Sequence, residues 1–131
     1  MEQRYLLDTN AVLDFMGKKL AVNIQKALSK IVDTEINLSV INKIELLGFS
    51  KVEQDIIDFV NYANILPINN EIVEKTIEIR KVFRIKLPDA IIAATAMVYD
   101  MTVITGNTSD FKHIVGLKLF DTRKKRSDVS T

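Results

Sequence analysis

Residues 87–100, LPDAIIAATAMVYD, constrain the fold more than any other stretch. Pro88 stands where a first helical turn tolerates it, because the N–H it lacks would have no intrahelical partner there. The residues that follow are small or apolar on nearly every side. A helix of that kind has no face to offer to water, so it must be buried. Its alanines permit close packing against a sheet. Directly behind it comes MTVIT (101–105), a β-branched run that reads as a strand.

The remaining segments repeat this alternation. RYLLD (4–8) reads as a short strand that runs into a helix. From Leu20 onward, Leu20, Ile24, Ala27, Leu28 and Ile31 recur at helical spacing. INLSV (36–40) is a second strand, leading directly into a helix over INKIELLGF. Val52, Ile56, Phe59, Val60 and Ala63 give another helix with one apolar face. NILPI (64–68) is a third short strand, with Pro67 placing it at a sheet edge or at a strand end. Ile72, Thr76, Ile77 and Phe83 mark a helix that ends in the basic cluster Arg80, Lys81, Arg84 and Lys86. TGNTSD (105–110) is turn-like, and LKLF (117–120) supplies one last strand. Strands alternating with helices predict a three-layer α/β/α fold around a mainly parallel sheet of four to five strands. No stretch rich in Gly, Ser or Pro divides the 131 residues, which predicts one domain with a flexible basic tail from about residue 122.

Composition removes several chemistries. With no cysteine there is no disulfide, no thiolate nucleophile and no cysteine zinc site. His113 is the only histidine, so a zinc site built on several histidines is impossible. The net charge of +1 does not announce a nucleic-acid binder. The basic cluster at 80–86 and a second at Arg123, Lys124, Lys125 and Arg126 read, each alone, as a solvated helix face and a chain end. No apolar run is long enough to span a bilayer, and residues after Met1 carry no signal-like segment, which predicts a cytoplasmic protein.

The acidic residues are more informative. In an open α/β sheet the ligand crevice lies beyond the carboxyl ends of the strands. Asp8 ends the first predicted strand, Asp110 follows the strand closing at Thr105, and Asp89 stands in the first turn of the buried helix. Glu45 lies one to two turns into the helix leaving the second strand. Four of the 17 acidic residues therefore converge on one rim. Singly, each has a plainer role. Asp8 serves as a helix N-cap, Asp89 complements a helix dipole, and Asp110 stabilises a turn. Glu45 has apolar neighbours in Ile41, Ile44 and Phe49, which predicts either burial on an apolar face or a position on its flank.

Together the four carboxylates repel one another unless protons or a cation compensate. An all-oxygen donor set suits Mg²⁺ or Mn²⁺. Thr9, Asn10, Ser39, Thr105 and Asn107 provide hydrogen-bonding groups to orient those carboxylates or a water. A metal pocket bordered by basic residues fits phosphodiester hydrolysis, with Arg84 and Lys86 as the residues nearest to hand for flanking phosphates. Asp14 reads as a solvated position on the first helix, and His113 as a surface or satisfied histidine.

LLDTNAVLDF, SVINKIELL, KLPDAIIAATA and TGNTSDF occur in the order and approximate spacing of a PIN-domain ribonuclease, and the short chain resembles the VapC toxin branch. The resemblance implies metal-binding carboxylates at Asp8, Glu45, Asp89 and Asp110, a hydroxyl at Thr105 and polar support at Asn10 and Asn107. It implies Mg²⁺- or Mn²⁺-dependent cleavage of RNA (tRNA or mRNA) by activated water, leaving 5′-phosphate and 3′-hydroxyl ends. It further implies a homodimer and a cognate antitoxin whose tail fills the active-site groove. Two other classes compete. A phosphate-accepting signalling domain would want an acidic pair after the first strand, where Thr9 and Asn10 stand instead. A non-catalytic RNA- or protein-binding module would gain little from four mutually repelling carboxylates.

Overall fold

The computed structural model describes residues 3–123. In chain order the elements are β1 (Arg4–Leu7), α1 (Thr9–Met16), α2 (Val22–Thr34), β2 (Asn37–Ser39), α3 (Val40–Leu47), α4 (Gln54–Tyr62) and β3 (Asn64–Leu66). They continue with α5 (Asn70–Val82), α6 (Leu87–Val98), β4 (Met101–Thr105), a 3-10 turn over Thr108–Asp110, and β5 (Leu119–Asp121). The sheet is parallel throughout. β4 lies between β1 and β5, with Leu7 opposite Ile104 and Thr105 opposite Asp121. β2 and β3 form a second parallel pair, with Ser39 opposite Leu66. The five strands are thus hydrogen-bonded as three and two. Where a main-chain ladder between the two sets would run, the side chain of Asn37 bridges them. Its Nδ2 donates to the Tyr5 carbonyl at 3.0 Å, and its Oδ1 accepts from Asn64 Nδ2 at 3.1 Å. Pro67 follows the last residue of β3, a strand paired on one side alone.

Successive strand residues point to opposite faces, and the chain uses both. Leu6 and Val103 face one core with Ile72, Ile79, Ala90, Ala93 and Phe111, whereas Leu7 and Ile104 face the other with Val12, Leu28, Leu38, Leu46 and Phe59. This is why β4 is buried along its whole length and β1 at both Leu6 and Leu7: a parallel sheet covered on both faces leaves no solvated side there. α6 is buried at Ala90, Ile92, Ala93, Ala94, Thr95 and Ala96, as its composition requires. The alternation also settles where chemistry can be placed. β1, β2 and β4 all end at one edge, and the chain leaves them through Asp8, Ser39 and Thr105. Among the described residues no helix is long and apolar enough to cross a membrane.

Candidate active site

Asp8 is the fixed point of that edge. Its extended backbone (φ −77°, ψ 156°) breaks β1, and its carboxylate caps α1 by accepting from the Thr9 N–H at 2.9 Å. It is 5% exposed, and a carboxylate taken so far out of water needs donors. Three side chains supply them. Thr105 Oγ1 donates at 2.9 Å, Asn10 Nδ2 at 3.0 Å, and Asn42 Nδ2 at the long distance of 3.5 Å. Asn10 is itself held by the Gly106 N–H, which donates to its Oδ1 at 2.7 Å. The cap and the site are therefore the same carboxylate.

Glu45 reaches the same corner through Thr9, whose hydroxyl donates to Oε1 at 2.6 Å while accepting from Asn42 Nδ2 at 3.1 Å. Asp89, in the first turn of α6, is half-buried. Burial, and then the charges of Asp110, Asp8 and Glu45, push its carboxyl up to about 6, against a smaller opposing pull from Lys86. The four carboxylates come from the residue after β1, from α3, from the 108–110 turn and from the first turn of α6. Asp89 and Asp110 line an open cleft of about 710 Å³ together with Arg80, Arg84, Lys86 and His113. Among the described residues, no three Asp, Glu or His side chains are already drawn together into a cation cage. The donor set, all oxygen with one member rigidly hydrogen-bonded, is the chemistry that suits Mg²⁺ or Mn²⁺.

Residues 5–117 match the PIN domain family. The chain belongs to that family. No curated protein matches it significantly. Solved structures do. A toxin–antitoxin complex from Klebsiella pneumoniae is 29% identical, with a TM-score of 0.71 over 92% of this chain and 99% of that one. VapBC-1 from nontypeable Haemophilus influenzae is 25% identical, with a TM-score of 0.75 over 93% of this chain and 100% of that one. VapBC2 from Rickettsia felis, bound to a DNA fragment from its promoter, is 25% identical, with a TM-score of 0.74 over 91% of this chain and 98% of that one.

Within this PIN domain several sequence expectations need correction. Of the two positions its neighbours allowed, Glu45 takes the exposed one, with Ile44 and Phe49 themselves turned to solvent at 61% and 55% exposure. Its place in the site comes from Thr9. Asp14 is not a free solvated residue: it is half-buried and ion-paired to Arg123, with Nη2 at 3.1 Å. The supposed tail is anchored at its start. The Thr122 N–H donates to the Thr105 carbonyl at 3.1 Å, and Arg123 Nη1 donates to Asn107 Oδ1 at 3.0 Å. Residues 124–131, including Lys124, Lys125 and Arg126, lie outside the described residues. Ser39 acts at one remove. Its main-chain N–H and hydroxyl both donate to Asn42 Oδ1, which aims Asn42 Nδ2 at Asp8 and Thr9. Asn107 supports the site through its main chain, donating to Thr105 Oγ1 at 3.0 Å. Arg84 and Lys86 stand in the cleft beside Asp89, and His113 is exposed on its wall.

Two residues escaped the sequence reading. Asn42, fully buried, completes a reciprocal capping box with Ser39, and a polar residue three places after a serine at a strand end was the available signal. Arg123 had none, since it lies more than a hundred residues from Asp14.

Proposed function

We propose that this PIN domain is a VapC-type toxin that hydrolyses RNA phosphodiester bonds in a reaction dependent on Mg²⁺ or Mn²⁺. The observation that carries the reading is the convergence of Asp8, Glu45 and Asp110 on Asp89 beside Arg84 and Lys86. Like charges that raise the proton affinity of Asp89 are a cost to the fold, and a divalent cation would turn that cost into binding energy.

Asp8, Asp89, Glu45 and Asp110 are the residues that would hold the ion. When bound, it acidifies a water and neutralises developing charge on phosphate. The chain's own groups do the rest. Thr105, Asn10 and Asn42 hold the Asp8 carboxylate in one orientation. Thr9 fixes one oxygen of Glu45. Asp89, its carboxyl pushed up to about 6 by burial and by the neighbouring carboxylates, would give up its proton when a cation binds. Arg84 and Lys86 bind phosphates flanking the scissile bond, which aligns the strand without reading its bases.

The similar Klebsiella, Haemophilus and Rickettsia proteins are toxin–antitoxin complexes or VapBC pairs, which supports an antitoxin partner, and its place on this chain would be the cleft. A homodimer is part of the same proposal. Val73 and Ile77, one turn apart on α5 and both exposed, offer an apolar strip for it. The test is cleavage of tRNA by the purified chain, with activity in Mg²⁺ or Mn²⁺, none in EDTA, and silencing by the co-purified small partner. Unchanged cleavage by the Asp8→Asn, Asp89→Asn double variant would overturn the reading.

A further inference from the structure

Arg123 joins the two segments that carry opposite sides of the acidic rim. Its guanidinium reaches Asp14 Oδ2 through Nη2 at 3.1 Å and, at the longer distance of 3.4 Å, through Nε. Asp14 lies on α1, the helix that Asp8 caps. Nη1 donates to Asn107 Oδ1 at 3.0 Å, on the loop that carries Asp110. The same loop is stitched at its start by the Asn10–Gly106 and Thr105–Asn107 hydrogen bonds, and the Asp110 N–H donates to the Asn107 carbonyl at 3.0 Å. Asn107 is therefore the residue through which Asp110 is hung, and Arg123 is the side-chain tie from Asn107 to α1.

Gly106 supplies an independent observation. A methyl group built there would overlap Nε, Cδ and Cζ of Arg123, so the arginine side chain occupies the space a Cβ would take. The glycine is what lets the tie close over the loop.

We propose that Arg123 is a positioning residue for the metal-dependent reaction. It sets where Asp110 stands relative to Asp8, and so how tightly the rim closes on a divalent ion. This rests on the function proposed above. A lysine cannot replace it, because one ammonium cannot span the forked contacts to Asp14 and Asn107. Arg123 is half exposed, and an ion pair so placed adds little to global stability, so thermal unfolding shifts by no more than about 4 °C on its loss. The effect falls instead on the site, where removal of a residue that orients a metal ligand costs about 10- to 100-fold in metal affinity or activity.

The experiment compares the wild-type chain with Arg123→Ala, Arg123→Lys and Gly106→Ala. It uses Mn²⁺ titration followed by electron paramagnetic resonance, RNA cleavage across Mn²⁺ concentrations, and amide hydrogen exchange of residues 106–111 in metal-free protein. Each variant is expected to weaken Mn²⁺ binding about tenfold. Each should also lower kcat at limiting Mn²⁺ with KM for RNA unchanged, and speed exchange in that loop. Gly106→Ala, which keeps the arginine but displaces it, should match Arg123→Ala. Rescue by Arg123→Lys would show that charge alone matters and overturn the proposal. Variants that bind Mn²⁺, cleave and exchange like wild type overturn it as well, leaving the nuclease reading intact. A wild-type chain that neither binds Mn²⁺ nor cleaves RNA overturns that reading and this role with it.

Discussion

The two sides of the rim are built on opposite principles. Asp8 is buried and surrounded by donors from Thr9, Asn10, Thr105 and Asn42, so its position is decided before any ligand arrives. Asp89 is half-buried among negative charges, and Asp110 and Glu45 are exposed. One side is organised by hydrogen bonds within the protein, whereas the other gathers negative charge around Asp89. The difference has a physical logic. A rigid acceptor orients whatever binds, while carboxylates that repel one another make binding of a cation favourable and release of it possible.

The largest expected effect comes from removing the charges themselves. Asp8→Asn and Asp89→Asn should each lower RNA cleavage by on the order of 100-fold or more, beyond the 10- to 100-fold typical of an orienting partner. Their stabilities should move in opposite directions. Asp8→Asn turns an amide N–H₂ toward the existing donors and should destabilise the fold by about 1–3 kcal/mol in urea unfolding. Asp89→Asn removes a repelled carboxylate and should stabilise metal-free protein at neutral pH. If both variants destabilise alike, the contrast between the two sides is wrong.

Next comes the orienting hydroxyl. Thr105→Val keeps the shape but takes a donor from Asp8 and an acceptor from the Asn107 N–H. Its cleavage should fall about 10- to 100-fold, with about 1–3 kcal/mol of stability lost. Addition of Mn²⁺ should raise the melting temperature of wild type, by an amount that grows with the logarithm of concentration, and should leave Asp89→Asn nearly unmoved.

The smallest effect is the pH dependence. Asp89 holds its proton up to about 6 in the fold and to about 3.8 when unfolded, so between these values the folded state binds more protons. Metal-free protein should therefore lose stability as pH rises from about 4 to about 6, and keep that deficit above. Solvent screening of a half-exposed group brings the loss to about 1 kcal/mol. Asp89→Asn should abolish that slope, as chemical denaturation at a series of pH values would reveal. Mn²⁺ affinity should rise over the same window, because proton and cation compete for one carboxylate.

Much of this molecule was legible before folding because it rests on local chemistry. Every predicted strand and helix is present, since periodicity and β-branching report burial within a single element. Asp8, Asn10 and Thr105 were legible because strand ends in an alternating chain must share one edge. For Glu45 the sequence left two positions open, a buried face or its flank, and the structure exposes it. Apolar neighbours along α3 imply a buried face only if another element covers them, and nothing among the described residues covers Ile44 or Phe49. Asp14 is the converse case, as an acidic residue on a helix looks solvated until a partner from the far end of the chain is brought to it.

The amino-acid sequence by itself determined the layered parallel fold and the edge at which carboxylates collect, because both follow from patterns read within a few residues. Only the tertiary structure decided that Asn37 bridges two strand sets, that Asn42 rather than Ser39 reaches Asp8, and that Arg123 ties α1 to the loop of Asp110. Each of these is a hydrogen bond between residues distant in the chain. Its partner is chosen by where packing leaves a donor and an acceptor within about 3 Å, and no local propensity encodes that choice.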